Sequence, residues 1–146
     1  MKAYADTSFL VSLYSPDANS AAAAAQMDRP GNVLLLTPFG EVELTNALEL
    51  RLFRKEVTAA EARAAGQAFQ QDLAAGVLFL QPVPAAVYEM ARRLARKHTA
   101  RLGARTLDIL HVAAALVLGA DVFFTFDARQ RRLARREGLR APALGE

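Results

Sequence analysis

The sequence predicts an α/β domain in which helices cover both faces of a mostly parallel sheet, a three-layer α/β/α arrangement. Short apolar runs bounded by Asp, Pro or Gly alternate with longer helical segments along the whole chain, which is typical of this class. The chain has 146 residues, of which 53% are hydrophobic, so it is long enough to bury a sizeable core. We therefore predict a single domain over residues 1–146.

The predicted strands are short runs of apolar residues. The run NVLLLT at 32–37 is continuous, as expected of a strand that is buried on both faces. The third run contains Pro82 near its end, which suits a strand at the edge of the sheet. Four strands are predicted at 2–5, 32–37, 77–83 and 121–125, and a fifth short strand at 139–144.

The segments between the strands begin or end at capping signals. Thr58-Ala-Ala-Glu61 has the pattern of a capping box, and Pro38 suits the first turn of a helix. Gly76 and Gly119 stand where a left-handed residue is expected to end a helix. The predicted helices cover about 6–15, 17–27, 39–55, 58–75, 84–98, 106–118 and 128–137.

The composition excludes several kinds of site. The chain has no cysteine, so thiolate catalysis, disulfides and cysteine zinc sites are ruled out. It has no glycine-rich phosphate loop and no apolar run of the roughly 18 residues that a membrane span needs, and its first residues are not expected to form a signal peptide. A cytoplasmic location is expected by default. Of the two histidines, His98 is expected to be exposed, and His111 to lie in the core or behind a site.

Four acidic residues are expected to meet at one edge of the sheet. Asp6 and Asp127 directly follow the first and fourth strands, Glu43 begins the helix after the second, and Asp108 begins the helix that leads into the fourth. Ligands of open α/β sheets bind at this carboxyl edge. Converging carboxylates repel one another unless cations lie between them, and Mg²⁺ or Mn²⁺ prefer such oxygen ligands. Asp121 stands at the start of its predicted strand and is expected at the opposite edge.

Each of these acids also has an ordinary structural explanation. Asp6 and Asp127 could cap the helices that they precede, and Asp108 and Glu43 could be first-turn acids that favour the helix dipole. Glu41 is the neighbouring candidate to Glu43, but the two face different sides of their helix, so only one should reach the site.

The net charge is only +3, but the basic residues are unevenly distributed. Twelve of the eighteen lysines and arginines lie in the segments 92–105 and 129–140, on either side of the helix that begins near Asp108. Basic clusters beside an acidic site suit a polyanion such as a nucleic acid, although solvated helix faces have the same composition. The candidate phosphate contacts are Arg92, Arg96, Arg101, Arg105 and Arg129.

Four segments together resemble a known family. They are YADTSFLVSLY, TPFGEVELTNAL, TLDILHVAAAL and FFTFDARQRRLA, and their order and spacing fit over nearly the whole chain. The sequence is similar to PIN-domain ribonucleases and, among them, to the toxins of VapBC-type toxin–antitoxin pairs. The fit is weakest at about residues 56–100.

The resemblance implies a PIN-like fold with a five-stranded parallel sheet, one or two Mg²⁺ or Mn²⁺ ions, and endonucleolytic cleavage of RNA. It also implies a homodimer and an antitoxin protein as partner. The catalytic and metal-binding residues carried over from the family are Asp6, Glu43, Asp108 and Asp127. The neighbouring polar residues carried over are Ser8 or Thr7, Thr125, and Asn46 of the E-x-x-N-A-L pattern.

The expected reaction is hydrolysis of a phosphodiester bond by a metal-activated water, which leaves a 5′-phosphate and a 3′-hydroxyl. Two other functions remain open. A metal-dependent aspartyl phosphatase usually has a second aspartate two residues after the first, whereas here Asp6 is followed by Thr7 and Ser8. A non-catalytic RNA-binding or partner-binding module would keep the fold without turnover.

Overall fold

The computed structural model describes residues 1–145. The predicted domain also includes Glu146, which lies outside the described residues. Its centre is a parallel sheet in which the strands follow the order β3-β2-β1-β4. The strands are β1 (Lys2–Ala5), β2 (Val33–Leu36), β3 (Leu78–Leu80) and β4 (Val122–Phe124). The α/β class, the parallel sheet and the edge position of β3 are confirmed.

The prediction of a fifth strand at 139–144 was wrong for the described residues. Arg140 forms a single parallel bridge with Val122, and its carbonyl accepts a hydrogen bond from the Phe123 amide at 2.8 Å. Pro142 follows two residues later, and because it has no N–H it cannot donate to a ladder. Residues 1–145 therefore contain a four-stranded sheet.

The helices fill the connections between the strands, as the capping signals predict. The capping box of Thr58 and Glu61 is present at the start of α4. A π-helical turn at Ala95–Thr99 separates α5 from the single turn of α6. The helices are α1 (Thr7–Tyr14), α2 (Ser20–Met27), α3 (Pro38–Phe53), α4 (Ala59–Ala74), α5 (Ala86–Leu94), α6 (Ala100–Leu102), α7 (Thr106–Val117) and α8 (Ala128–Arg136).

The sheet separates two hydrophobic cores, which gives the three layers. Alternate residues of β1 point to opposite faces: Ala3 and Ala5 belong to the core under α1, α3 and α4, whereas Tyr4 belongs to the core under α5, α7 and α8. Tyr4 stacks on Phe123 of β4 with ring centroids 5.5 Å apart. None of the helices in residues 1–145 is long and apolar enough to span a bilayer.

The register of the central strands brings their carboxyl ends to one level. Tyr4 of β1 pairs with Leu35 on one side and with Phe123 on the other. The residues that follow these strands therefore meet at one edge of the sheet. Asp121 lies at the opposite edge, where its carboxylate accepts a hydrogen bond from the Lys2 amide at 2.8 Å, as its position before β4 predicts.

Candidate active site

Asp6 lies at the centre of the carboxyl edge and is completely buried. It caps α1, because Oδ1 accepts hydrogen bonds from the Phe9 amide at 2.9 Å and from the Ser8 hydroxyl at 2.7 Å. Its Oδ2 accepts a hydrogen bond from the Thr125 hydroxyl at 2.5 Å. Burial raises the pKa of this carboxyl, and His111 and the three hydrogen bonds oppose that shift only in part. All three donors are neutral.

The Ser8 and Thr125 hydroxyls also fix the loop that follows β4. The Ser8 hydroxyl accepts a hydrogen bond from the Phe126 amide at 2.9 Å, and the Thr125 hydroxyl accepts one from the Asp127 amide at 2.9 Å. The two hydroxyls lie 3.2 Å apart. The structure thus brings two of the polar residues carried over from the family into contact with Asp6, and they hold the start of the Asp127 loop beside it.

Asp108 and Asp127 are joined by Arg105. The Arg105 Nε donates to Asp108 at 3.3 Å, and its Nη2 donates to Asp127 at 3.5 Å. Asp108 also accepts from the Arg105 amide at 3.1 Å in the first turn of α7. Asp127 caps α8 through the amides of Arg129 and Gln130. Asp108 and Asp127 therefore have their ordinary roles at the helix ends and also lie close together through Arg105.

Glu43 is held by a second network that begins in the core. The Tyr4 hydroxyl bonds His111 Nδ1 at 2.8 Å, and His111 Nε2 bonds Glu43. Thr7 donates to the same carboxylate at 2.8 Å. Burial raises the pKa of Glu43, but the hydrogen bond and charge of His111, together with Thr7, outweigh it, so the net pKa is lowered. His111 is 1% exposed, which agrees with its predicted place behind the site.

One cleft of about 700 Å³ connects these groups. Glu43, Asp108 and Asp127 line it together with Thr7 and Ser8. Asp6 lies directly beneath Ser8, to which it is hydrogen-bonded. The structure therefore brings the predicted acids to one edge of the sheet, three at the surface of a cleft and one behind it.

The chemistry of this donor set fits a hard divalent cation, because carboxylate oxygens are its preferred ligands. The buried Asp6 carboxylate is hydrogen-bonded only to neutral groups, which suits a position next to a positive charge. Within residues 1–145 no three acidic or histidine side chains are close enough to hold a metal ion in this conformation. Arg105 contacts two of the acids and is 65% exposed, so it has room to move away from them.

Several predicted residues lie outside the cleft. Asn46 is exposed on α3 and is absent from the cleft lining. Of the five arginines predicted to contact phosphates, only Arg105 lines the cleft. The other four are exposed on α5, α6, α8 and the π-helical turn: Arg92, Arg96, Arg101 and Arg129.

The prediction that His98 is exposed was wrong. His98 is 6% exposed, and its Nε2 lies 2.8 Å from the Glu137 carboxylate. The π-helical turn carries this residue, and it faces the end of α8 rather than solvent. Arg93 and Lys97 contact the same carboxylate at 3.4 and 2.9 Å, so Glu137 links the end of α8 to α5 and the π-helical turn.

The cleft also contains polar residues that the sequence did not single out: Asp17, Arg51 and Gln130. Arg51 forms an ion pair of 2.8 Å with Asp17. Arg51 stands eight positions after Glu43 on α3, and Ala47 between them also lines the cleft. A search for polar residues at four-residue spacing from Glu43 would have found Arg51, because positions i, i+4 and i+8 share one side of a helix.

Comparison with protein families finds that the family described as PIN domain matches residues 3–136. A comparison with curated proteins found no significant match.

Solved structures of similar fold cover nearly the whole chain. VapC20 from Mycobacterium tuberculosis, a sarcin–ricin loop cleaving toxin, is 22% identical with a TM-score of 0.69, over 94% of this chain and 95% of that one. VapBC2 from Rickettsia felis, bound to a promoter DNA fragment, is 15% identical with a TM-score of 0.69, over 99% of each chain. FitAcB from Neisseria gonorrhoeae is 16% identical with a TM-score of 0.62, over 95% of each chain.

Proposed function

The chain belongs to the PIN domain family, and from this premise we propose that it is a divalent-metal-dependent endoribonuclease. The observation that carries the proposal is Asp6, a buried carboxylate without a cationic hydrogen-bond partner, directly behind a cleft whose lining includes Glu43, Asp108 and Asp127. A buried carboxylate of this kind lowers the stability of the fold, and it suits a site in which a bound cation compensates the charge.

Asp6 and Asp108 are the proposed principal ligands of Mg²⁺ or Mn²⁺, with Asp127 and Glu43 completing the set directly or through water. A bound ion of this kind would lower the pKa of a water molecule and offset the charge of the phosphate. In the reaction the water gives up a proton to solvent as its oxygen attacks phosphorus, the bond between phosphorus and the 3′ oxygen breaks, and that oxygen takes up a proton from solvent.

The remaining residues of the site have positioning roles in this proposal. Ser8 and Thr125 hold the Asp6 carboxylate through their hydroxyl donors. Thr7 and His111 hold Glu43, whose lowered pKa keeps it ionised at neutral pH. Arg105 exchanges its contacts with Asp108 and Asp127 for contacts with the substrate phosphate, since a guanidinium pairs well with either anion.

The biological role proposed for this activity is that of the toxin in a toxin–antitoxin pair. VapC20 is a toxin that cleaves the sarcin–ricin loop, and VapBC2 was solved as a complex on promoter DNA. By likeness we propose an RNA substrate, an antitoxin protein as partner, and a homodimer acting in the cytoplasm. Single-stranded or looped RNA fits best, because its backbone can be splayed into a cleft.

The test is cleavage of single-stranded RNA by the purified protein with Mg²⁺ or Mn²⁺, compared with excess chelator. Asp108→Asn should abolish the cleavage, and Asp121→Asn, at the opposite edge of the sheet, should leave it unchanged. The ends of the fragments should be 5′-phosphate and 3′-hydroxyl. Cleavage that persists with chelator or in Asp108→Asn would show that the proposed chemistry is wrong.

The second candidate is an RNA-binding module without turnover. The contacts of Arg105 with Asp108 and Asp127 favour it, because they satisfy two of the acids without a metal. This candidate predicts RNA binding without cleavage at any metal concentration, and it predicts equal RNA affinity for the wild type and Asp108→Asn.

A further inference from the structure

The cleft continues along α3 beyond the acidic residues. Glu43, Ala47 and Arg51 line it at four-residue intervals. A rise of about 1.5 Å per residue places Arg51 roughly 12 Å farther along the helix axis than Glu43. The far end of the cleft therefore carries the Arg51–Asp17 ion pair, whereas the near end carries the three predicted acids, and a polymer lying along α3 would meet both.

The guanidinium of Arg51 is held in place by the segment that connects α1 and α2. Its Nη1 donates to the Ser15 carbonyl at 3.3 Å and to the Ser15 hydroxyl at 2.9 Å. Its Nη2 donates to Asp17 at 2.8 Å. These bonds use three of the five N–H donors of an arginine, and two remain without a partner in residues 1–145. A fixed guanidinium with free donors is suited to a phosphate.

Gln130 lies on α8 and lines the same cleft. Its side chain is buried, with 6% exposed, and its Oε1 has no hydrogen-bond partner in the described part of the chain. A buried amide oxygen without a donor costs free energy, which a ligand that brings a donor would recover. Nucleotides carry such donors on the ribose 2′-hydroxyl and on the bases.

We propose that Arg51 and Gln130 form a subsite for a nucleotide that flanks the scissile bond of a single-stranded RNA. Arg51 binds a phosphate farther along the strand, and the Gln130 amide bonds a sugar or base of the same strand. Asp17 orients Arg51 and at the same time weakens its attraction for the phosphate. The subsite rests on the proposed function, since it assumes that the strand enters the acidic end of the cleft.

Substitution of the two members of the ion pair should change RNA affinity in opposite directions. Arg51→Gln removes the phosphate contact and should weaken binding roughly tenfold, the effect of one charge-assisted hydrogen bond. Asp17→Asn removes the competing carboxylate and should tighten binding. A pair that only supports the fold would weaken binding in both variants, because each substitution breaks the same interaction.

The measurement is the affinity of a short, labelled single-stranded RNA by fluorescence anisotropy, in chelator so that metal-dependent cleavage cannot occur. The slope of log affinity against log salt should fall by about 0.7 in Arg51→Gln, as expected for one lost phosphate contact on a single strand. Arg54→Gln is the matched control, because Arg54 is exposed and follows the same helix outside the cleft lining. It should keep the affinity and slope of the wild type.

Gln130→Leu tests the other half of the subsite without a change of charge. It should weaken RNA binding severalfold while the salt slope stays that of the wild type, since no phosphate contact is lost. The variant Asp17→Asn/Arg51→Gln keeps the charge balance of the cleft and should bind as weakly as Arg51→Gln, because both lack the phosphate contact. Recovery of wild-type affinity in the double variant would show that the unpaired Asp17 carboxylate, and not a lost phosphate contact, weakens binding in Arg51→Gln.

The position of the phosphate can be found by replacing single phosphates of the RNA with neutral methylphosphonates. At a single phosphate that is not the scissile one, the replacement should weaken binding to the wild type but not to Arg51→Gln. If Arg51→Gln binds every RNA as the wild type does, the subsite is wrong. Failure of the wild type to cleave RNA in Mg²⁺ or Mn²⁺ would instead overturn the proposed function, and the binding result would still decide the subsite.

Discussion

Asp6 and Glu137 are both buried carboxylates, but their surroundings differ. The three hydrogen-bond donors of Asp6 are neutral: one backbone amide and two hydroxyls. Glu137 has a side chain that is 6% exposed and contacts Arg93, Lys97 and His98. Burial raises the pKa of Asp6. Burial acts in the same direction on Glu137, but its hydrogen bonds and charges outweigh it and lower the pKa.

This difference separates a structural acid, Glu137, from Asp6, the acid to which we assign a functional role. A buried charge surrounded by cations is compensated, and Glu137 accordingly fixes the end of α8 against α5 and the π-helical turn. A buried charge without such partners destabilises the folded protein unless something else compensates it. We therefore expect Asp6 to contribute little to stability, and we propose that its position behind the cleft gives it a role in binding a cation.

The largest expected effect is that of Asp6→Asn on RNA cleavage. Loss of this proposed metal ligand should lower the cleavage rate roughly 10³-fold or more, equal to several kcal/mol of transition-state stabilisation. The free energy of unfolding should stay constant or rise, because an uncompensated buried charge is removed. Single-turnover cleavage and urea unfolding of the same preparation measure the two quantities. If Asp6→Asn strongly lowers the free energy of unfolding, Asp6 stabilises the fold as Glu137 does, and the proposed difference between the two acids is wrong.

Addition of a divalent metal should stabilise the wild type, because the bound ion would compensate the buried charge of Asp6. At a concentration about 100 times the dissociation constant, one bound ion adds about 2.7 kcal/mol to the free energy of unfolding. Thermal unfolding with Mn²⁺ or Mg²⁺ measures this, and Asp6→Asn should show little of the gain. Glu137→Gln should keep the full gain, and a loss of metal stabilisation in that variant would contradict the division of roles.

Glu137→Gln should show the opposite pattern to Asp6→Asn. It should lower the free energy of unfolding by about 1.5–3 kcal/mol, the cost of losing a charge-assisted hydrogen bond to the buried His98. The contacts with Arg93 and Lys97 add little, since both side chains are more than half exposed. Urea unfolding gives the stability, and RNA cleavage under native conditions should be unchanged. Glu49→Gln, on the exposed surface of α3, is the neutral control.

The same contrast explains how far the site could be predicted from sequence. The four acids could be placed because parallel strands bring the residues after their carboxyl ends to one edge, whatever the details of packing. Gln130 could not be assigned in this way, because its place in the cleft depends on how α8 packs against the sheet. His98 was mispredicted because the composition around it is basic, whereas the π-helical turn faces it towards Glu137.

The fold shows the same division between local and distant causes. Strand and helix positions follow from apolar runs and capping residues that lie within a few positions of one another, such as Thr58 and Glu61. The segment 139–144 has the composition of a strand, yet it makes one bridge before Pro142. Leu139 and Ala141 then pack in one core and Leu144 in the other, so the segment crosses from one layer to the next.

The smallest expected effect, and the sharpest test of the comparison, is on the pH dependence of stability. Folding lowers the pKa of Glu137 below its usual 4.5, so the ionised form stabilises the native state. That contribution is complete well above pH 4.5 and is lost as the pH falls through the lower native pKa. The stability difference between the wild type and Glu137→Gln should therefore be constant near neutral pH and shrink below pH 4.5. A difference that persists unchanged in acid would mean that Glu137 acts through packing and not through its charge.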